Sequence, residues 1–215
     1  MKKEINLLLD NDSVLKLFNY MRGIIAILFL VFFSFSATSL ADDVTDFQIE
    51  GISLYDSALD HFSERQIKNN IQDWYNSKAY YTASFRYLPK FKIYKDVQLS
   101  FKRGDKKYII LSIDGVFFMD IKDCLKELDK TEKEFNEIFK DAYKSKKDTY
   151  PHLGDETGET KITDIFWKFN SGDQITAQCI AYGKEIKNKF GYKDEWRMRL
   201  GGEEFGNFLS NKAYK

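Results

Sequence analysis

Cysteine, histidine and proline are scarce in this sequence of 215 residues, which contains two of each. So few histidines and cysteines leave little material for a His/Cys metal cluster. Two prolines and 12 glycines are also too few for a collagenous or low-complexity chain. Net charge is absent, because 33 basic side chains face 33 acidic ones. Phosphate contacts need a basic excess, so we expect no nucleic-acid partner.

Aromatic residues, in contrast, are abundant, with 19 Phe, 13 Tyr and 3 Trp making up 16% of the chain. Together with 43% hydrophobic and 31% charged residues, this composition is typical of a globular protein. We expect the Phe side chains to fill the core. Tyr side chains keep a polar hydroxyl and can also line a surface groove.

The apolar segment at residues 24–36 predicts a secretory signal peptide. Arg22 precedes it, and the small residues Ser39 and Ala41 are followed by the acidic pair Asp42 and Asp43. A helix of this length spans about 20 Å, which is short of the ~30 Å hydrocarbon core of a membrane. We therefore predict cleavage after residue 41 and a periplasmic or secreted protein. An uncleaved anchor is the alternative, and it is the only membrane attachment we expect.

The twenty residues before Met21 do not fit a typical signal sequence. They contain Glu4, Asp10 and Asp12, although this region of a signal is normally basic. We therefore predict that Met21 is the true initiator and that residues 1–20 are an extension.

The periodicity of the rest of the chain predicts an α+β fold. Predicted helices cover 54–61, 64–76 and 121–144, with a last helix after Gly201, and predicted strands cover 45–50, 79–87, 91–102, 108–118, 161–169, 174–182 and 193–200. Their order suggests two αβββ units, 42–119 and 120–215, packed as one globular body. We expect an antiparallel sheet with helices covering one face and a helix at the C-terminus.

Cys124 and Cys179 are the only cysteines, and the predicted export places them in an oxidising compartment. Such a pair favours one disulfide, which would join the long helix to the second group of strands. Two buried free thiols are the alternative.

The aromatic strands offer a candidate ligand groove. Its predicted residues are Tyr80, Tyr81, Tyr87 and Tyr94, with Arg86 as a polar contact. Packing in the core is the alternative interpretation for these aromatic side chains.

The segment 144–161 reads as a long polar loop with a candidate metal site. His152, Asp155, Glu156 and Glu159 lie close together in sequence and offer mixed nitrogen and oxygen ligands of the kind that Ca²⁺ accepts. The spacing of an EF-hand is absent, so a solvated acidic loop is the alternative. We predict no cofactor.

Catalytic motifs are missing from the sequence, which has no Walker loop, no Gly-x-Gly-x-x-Gly after a strand and no Gly-x-Ser-x-Gly elbow. We predict no catalytic residue on this basis, although paired carboxylates leave no motif.

Three segments resemble small secreted proteins of marine alphaproteobacteria. They are residues 47–59 (FQIEGISLYDSAL), Asp123-Cys124, and residues 171–179 (SGDQITAQC), and the resemblance spans most of residues 46–212. It implies export and a shared fold. Those proteins have no assigned activity, so it carries over no catalytic residue.

The order of elements in each half is also similar to small outer-membrane assembly lipoproteins and to beta-lactamase-inhibitor-like domains. The lipid-bearing Cys of the lipoproteins is absent here.

The sequence thus predicts a non-enzymatic binding or envelope-associated module, whose partner is a protein, peptide or glycan of the envelope. The alternative is an extracytoplasmic hydrolase that uses carboxylates or a metal.

Overall fold

A nine-stranded antiparallel sheet organises residues 43–215, which are the residues described by the computed structural model. The strands are β1 (Gln48–Ile49), β2 (Ile52–Ser53), β3 (Ile71–Gln72), β4 (Tyr80–Arg86), β5 (Asp96–Lys102), β6 (Ser112–Phe118), β7 (Tyr143–Lys144), β8 (Asp148–Pro151), β9 (Lys161–Lys168), β10 (Gln174–Ala181) and β11 (Glu195–Gly201). The helices are α1 (Glu64–Asn69), α2 (Ile121–Ile138), α3 (Lys184–Phe190) and α4 (Glu203–Asn211). Strands β1 and β2 form a separate two-stranded ribbon.

The order of the strands across the sheet is β3-β4-β5-β6-β11-β10-β9-β7, and β8 also pairs with β9. Each half of the chain therefore contributes one meander of three long strands, β4-β5-β6 and β9-β10-β11. The last strands of the two meanders, β6 and β11, pair at the centre. This arrangement confirms the predicted α+β class with an antiparallel sheet and a C-terminal helix.

Helix α2 covers one face of the sheet. Asp120 caps its start by accepting a hydrogen bond from the Lys122 N–H at 2.8 Å. Its buried residues Cys124 and Leu128 lie on the side that packs against β9, β10 and β11. Cys124 forms the predicted disulfide with Cys179 of β10, and the bond closes a separation of 55 residues.

The core lies on the same face of the sheet as α2. Its largest fully buried side chains include Trp167, Phe85, Phe101 and Leu99. Phe139, at the end of α2, packs edge-on against Phe169 with ring centroids 5.5 Å apart. The abundance of Phe thus supplies a continuous aromatic core, as the composition predicts.

The helices do not all lie on one face, which differs from the prediction. Cys179 faces α2. The strand register and the alternation of side chains place Thr82 on the opposite face of the sheet. Tyr80 shares that far face, and its ring packs against Phe208 of α4 at 4.5 Å between centroids. Helix α4 therefore covers part of the second face.

Several predicted boundaries are wrong. The helix predicted at 54–61 is a single 3-10 turn at Ala58–Asp60, and the helix predicted at 64–76 ends at Asn69. A capping box of Ser63 and Gln66 starts this helix, but the chain then enters β3. The helix predicted at 121–144 ends at Ile138, and the predicted loop 144–161 contains β8. The predicted signal peptide and Met21 lie outside the described residues.

Candidate functional site

The face of the sheet that points away from α2 is polar across its central strands. The register sets Gln98, Asp114, Arg199 and Thr176 side by side on β5, β6, β11 and β10. In the next row, Arg197 of β11 lies opposite Gln178 of β10. Cross-strand neighbours share a face, so these side chains form one surface, called the polar face below.

A cavity of about 960 Å³ lies over the polar face. Gln98, Asp114, Gln178, Arg197 and Arg199 are among its lining residues. Helix α4, the segment after β8 and the loop around α3 supply other parts of the lining. This volume is at the upper end of the roughly 300–1,000 Å³ range that is typical of small-molecule sites.

Two arginines and two carboxylates form an ion-pair network in the middle of the polar face. The Arg197 guanidinium donates to Glu195 at 2.5 Å and to Asp114 at 3.4 Å, and Arg199 Nε donates to Asp114 at 2.8 Å. The side chains of Asp114 and Glu195 are only 3% and 5% exposed. Buried charges of this kind need one another, because removing one leaves another uncompensated.

Burial shapes the protonation of this network. Burial raises the pKa of the Glu195 carboxyl, although the Arg197 guanidinium opposes that shift. Burial alone would lower the pKa of Arg197, but Glu195 and Asp114 raise that pKa well above its usual value. Arg197 therefore stays cationic at every physiological pH, and it holds the two carboxylates in place.

Several polar groups of the cavity floor have no partner among residues 43–215. The side chain of Gln178, a residue only 4% exposed, makes no hydrogen bond there, and neither do the two terminal nitrogens of Arg199. Gln98 donates through Nε2 to Asp96 at 2.8 Å, while its Oε1 accepts no hydrogen bond from the described residues. Among the described residues, the only fully buried polar side-chain atom without a partner is Trp196 Nε1, so the groups of the floor are open to the cavity, where water or a ligand can bind them.

Exposed apolar side chains surround the mouth of the cavity. Tyr87, Phe190 and Leu153 line it and are 66%, 54% and 67% exposed. Tyr87 also has a positive φ of 53°, which is uncommon for a residue other than glycine. Glu50, Tyr55 and Tyr108 also have positive φ and do not line the cavity, so the exposed side chains, not this angle, define the rim.

Tyr150 and His152 form part of the wall. The Tyr150 hydroxyl donates to Asp164 at 2.6 Å, and burial raises the pKa of that carboxyl. Burial, and then the charge of Arg197, lower the pKa of His152. Its Nδ1 accepts from the Gly154 N–H at 2.9 Å, so the neutral ring carries its proton on Nε2.

The predicted tyrosine groove is only partly assembled. Tyr81 and Tyr94 belong to the core side, where Tyr94 stacks on Trp196 at 6.3 Å between ring centroids. Tyr80 lies on the polar face, but its hydroxyl donates to Glu204 at 2.6 Å. Arg86 and Tyr87 do line the cavity. The five residues thus form no common groove, because alternation sends neighbouring positions of a strand to opposite faces.

The four residues of the predicted metal site do not converge. Within residues 43–215, no group of three or more His, Cys, Asp or Glu side chains is placed to hold a metal ion. Hydrogen bonds from Thr160 and Thr157 occupy the Asp155 carboxylate and lower its pKa. Glu159 accepts from the Lys184 N–H at 3.0 Å. These residues close the loop and anchor α3, while His152, Asp155 and Glu156 line the cavity wall.

The sequence pattern does not reveal the ion-pair network. Arg197 and Arg199 alternate with Trp196, Met198 and Leu200, and this pattern predicts a strand with one solvated face. The usable signal was Asp114, a charged residue in the middle of the strand predicted to be central. A charge there requires an opposite charge on a neighbouring strand.

Comparisons of the chain with models of protein families, with curated proteins and with solved structures gave no match. Between residues 43 and 215, no helix is both long enough and apolar enough to cross a membrane.

Proposed function

We propose that this is an exported, non-enzymatic binding protein that takes a small polar ligand into the cavity over the polar face. The observation that carries the proposal is the Gln178 side chain, whose amide lines the cavity and has no hydrogen-bond partner among the described residues. Its amide is open to the cavity, so a ligand that replaces water there can form hydrogen bonds with it, each contributing about 0.5–1.5 kcal/mol.

The cavity floor is rigid, which favours binding. It belongs to central strands of the sheet, and the disulfide at Cys179 fixes the residue next to Gln178 from behind. The ion pairs with Asp114 and Glu195 hold the side chain of Arg197 in one orientation. A preorganised site loses little entropy when a ligand binds, so more of the interaction energy appears as affinity.

Export is supported by the apolar segment at 24–36 and by the disulfide, since disulfides are rare in the cytosol. The test is N-terminal sequencing of the native protein from the periplasm or medium, where the expected first residue is Asp42. A native protein recovered from the cytosol with Met1 or Met21 at its start would contradict export.

Ligand binding is tested by thermal shift against a library of neutral sugars, sugar acids, amino acids, short peptides and phosphates. A ligand at about 100 times its Kd stabilises by about 2.7 kcal/mol. For a chain of this size that raises the Tm by about 5–11 °C. Gln178→Leu should lose the shift. Gln48→Leu, a change at an exposed residue outside the cavity, should keep it. A library in which no class raises the Tm would overturn the proposal.

A hydrolase remains the second candidate, because the cavity holds carboxyls whose pKa burial raises. Glu195 and Asp164 both line it, and a carboxyl with a raised pKa can act as a general acid. The test is incubation with p-nitrophenyl esters and glycosides. Turnover that Glu195→Gln abolishes would establish an enzyme, whereas intact substrates agree with a binding protein.

A further inference from the structure

We infer that the ligand is an uncharged oligosaccharide, with its hydroxyl groups on the polar face and its C–H surfaces against the aromatic rim. This inference rests on the proposed ligand-binding function and adds the chemical class of the ligand. Charge, hydrogen-bonding capacity, the rim and the size of the cavity each support it.

The charge of the lining disfavours an anion. Six carboxylates line the cavity, namely Asp73, Asp114, Asp155, Glu156, Asp164 and Glu195. The cationic lining residues are four, namely Arg86, Lys193, Arg197 and Arg199. The two central arginines are already paired with Asp114 and Glu195. An anionic ligand would therefore meet an excess of negative charge and no uncompensated cation on the floor.

The unpaired groups of the floor are a mixture of donors and acceptors. The terminal nitrogens of Arg199 donate, Oε1 of Gln98 and Oε2 of Glu195 accept, and the amide of Gln178 does both. A carboxylate or phosphate ligand would satisfy only the donors, and an ammonium ligand only the acceptors. A hydroxyl group both donates and accepts, so a polyhydroxylated ligand matches this mixture.

A peptide fits the floor less well. The floor consists of central strands, whose backbone N–H and C=O groups pair with the neighbouring strands on both sides. Peptides that bind to sheets commonly add a strand at a free edge, and this floor has none. Recognition here is left to side chains, whose donors and acceptors can bind hydroxyl groups.

The rim supplies the apolar half of a saccharide site. Pyranose rings carry hydroxyls around their edge and C–H groups on their faces, so they need polar and flat apolar contacts together. Tyr87 lies against Phe118 at 6.3 Å between ring centroids, and Phe190 lies against Tyr192 at 5.6 Å. All four rings line the cavity. Aromatic surface that is left exposed in this way commonly marks a ligand site.

The size of the cavity points to more than one sugar ring. At about 960 Å³ it is larger than a monosaccharide would fill, whereas a well-complemented site encloses most of its ligand. We therefore expect a chain of sugar units to bind more tightly than a single sugar.

The experiment is calorimetric titration of the mature protein with chosen probes. The neutral probes are maltotriose, cellotriose and tri-N-acetylchitotriose, with glucose and N-acetylglucosamine as single units. The anionic probe is trigalacturonic acid, and the peptide probe is triglycine. We expect a neutral trisaccharide to bind, with a Kd that changes less than about twofold between about 0.05 and 0.5 M NaCl, because no net ligand charge is screened.

Two variants with matched controls locate the site. Gln178→Leu should weaken saccharide binding by about tenfold or more, and Gln48→Leu should not change it. Tyr87→Ala should weaken it by about two- to tenfold. Tyr143→Ala should have no effect, because Tyr143 is 67% exposed, as Tyr87 is, but lies outside the cavity.

Each outcome separates the ligand class from the proposed function. Neutral trisaccharide binding that both cavity variants weaken supports the inference. Binding of only the anionic or the peptide probe overturns the saccharide assignment and leaves the binding function in place. Saccharide binding that neither cavity variant weakens overturns the assignment to this cavity. If all of these probes fail while another class of the thermal-shift library raises the Tm, the saccharide inference alone is wrong. If no class binds, both are wrong.

Discussion

Removing the disulfide between Cys124 and Cys179 should destabilise the protein strongly. The bond ties the first turn of α2 to β10 across a separation of 55 residues, and both cysteines are fully buried. In the chain-entropy account, a cross-link over that separation restricts the unfolded chain by about 4 kcal/mol at 25 °C. For a domain of this size, the double variant Cys124→Ala/Cys179→Ala should therefore melt about 8–16 °C lower.

The assay is urea unfolding of the oxidised protein, the double variant and the reduced, alkylated protein. We expect the free energy of unfolding to fall by about 4 kcal/mol without the cross-link, while the m-value rises because the freed chain exposes more surface. A loss below about 1 kcal/mol with an unchanged m-value would refute this reasoning. It would mean that the unfolded chain is compact between the two cysteines even without the bond.

Three further changes test other parts of the structure. Arg197→Met should cost about 3–5 kcal/mol in urea unfolding, because the buried Glu195 loses its cation and Asp114 keeps only Arg199. Asp155→Ala should cost about 1–3 kcal/mol at pH 7, since hydrogen bonds within its loop lower the pKa of Asp155. That contribution is complete above the unfolded value of about 3.9 and is lost as the pH falls through the lower folded pKa, so urea curves of the two proteins should converge in acid. Gly115→Ala should cost about 1–3 kcal/mol, because the new Cβ would lie 2.5 Å from a ring carbon of Tyr94. Gly206→Ala meets nothing within 4 Å and should instead stabilise α4 by up to about 1 kcal/mol, which thermal melting would detect.

Alternation predicted the long strands well, because burial on the core side enforces it. Val97, Leu99 and Phe101 of β5 are fully buried at the odd positions that the pattern indicates. The pattern failed where side chains pack against an element outside the core side of the sheet. Trp74 and Tyr75 extend the helical stripe that begins at Ile67, yet they pack with α4 beyond the end of α1.

The cavity could not be predicted by the same means. Asp96, Gln98 and Ser100 occupy the even positions of β5 and are buried, although polar residues at alternate positions normally face water. The alternation therefore predicts solvated side chains at these positions. A strand pattern reports that one face is apolar and the other polar. It does not report whether helices and loops enclose the polar face, and that depends here on α4 and the segment after β8.

The two halves of the chain build the site jointly. Asp114 comes from β6, the last strand of the first meander, whereas Arg197 and Arg199 come from β11, the last strand of the second. The ion pairs of both arginines with Asp114 therefore connect β11 of the second half to β6 of the first half. Without the pairing of β6 with β11, Arg197 and Arg199 would lose Asp114, and both strands would have an open edge. The floor of the cavity arises from the pairing of the two meanders, so no contiguous stretch of the sequence contains its motif.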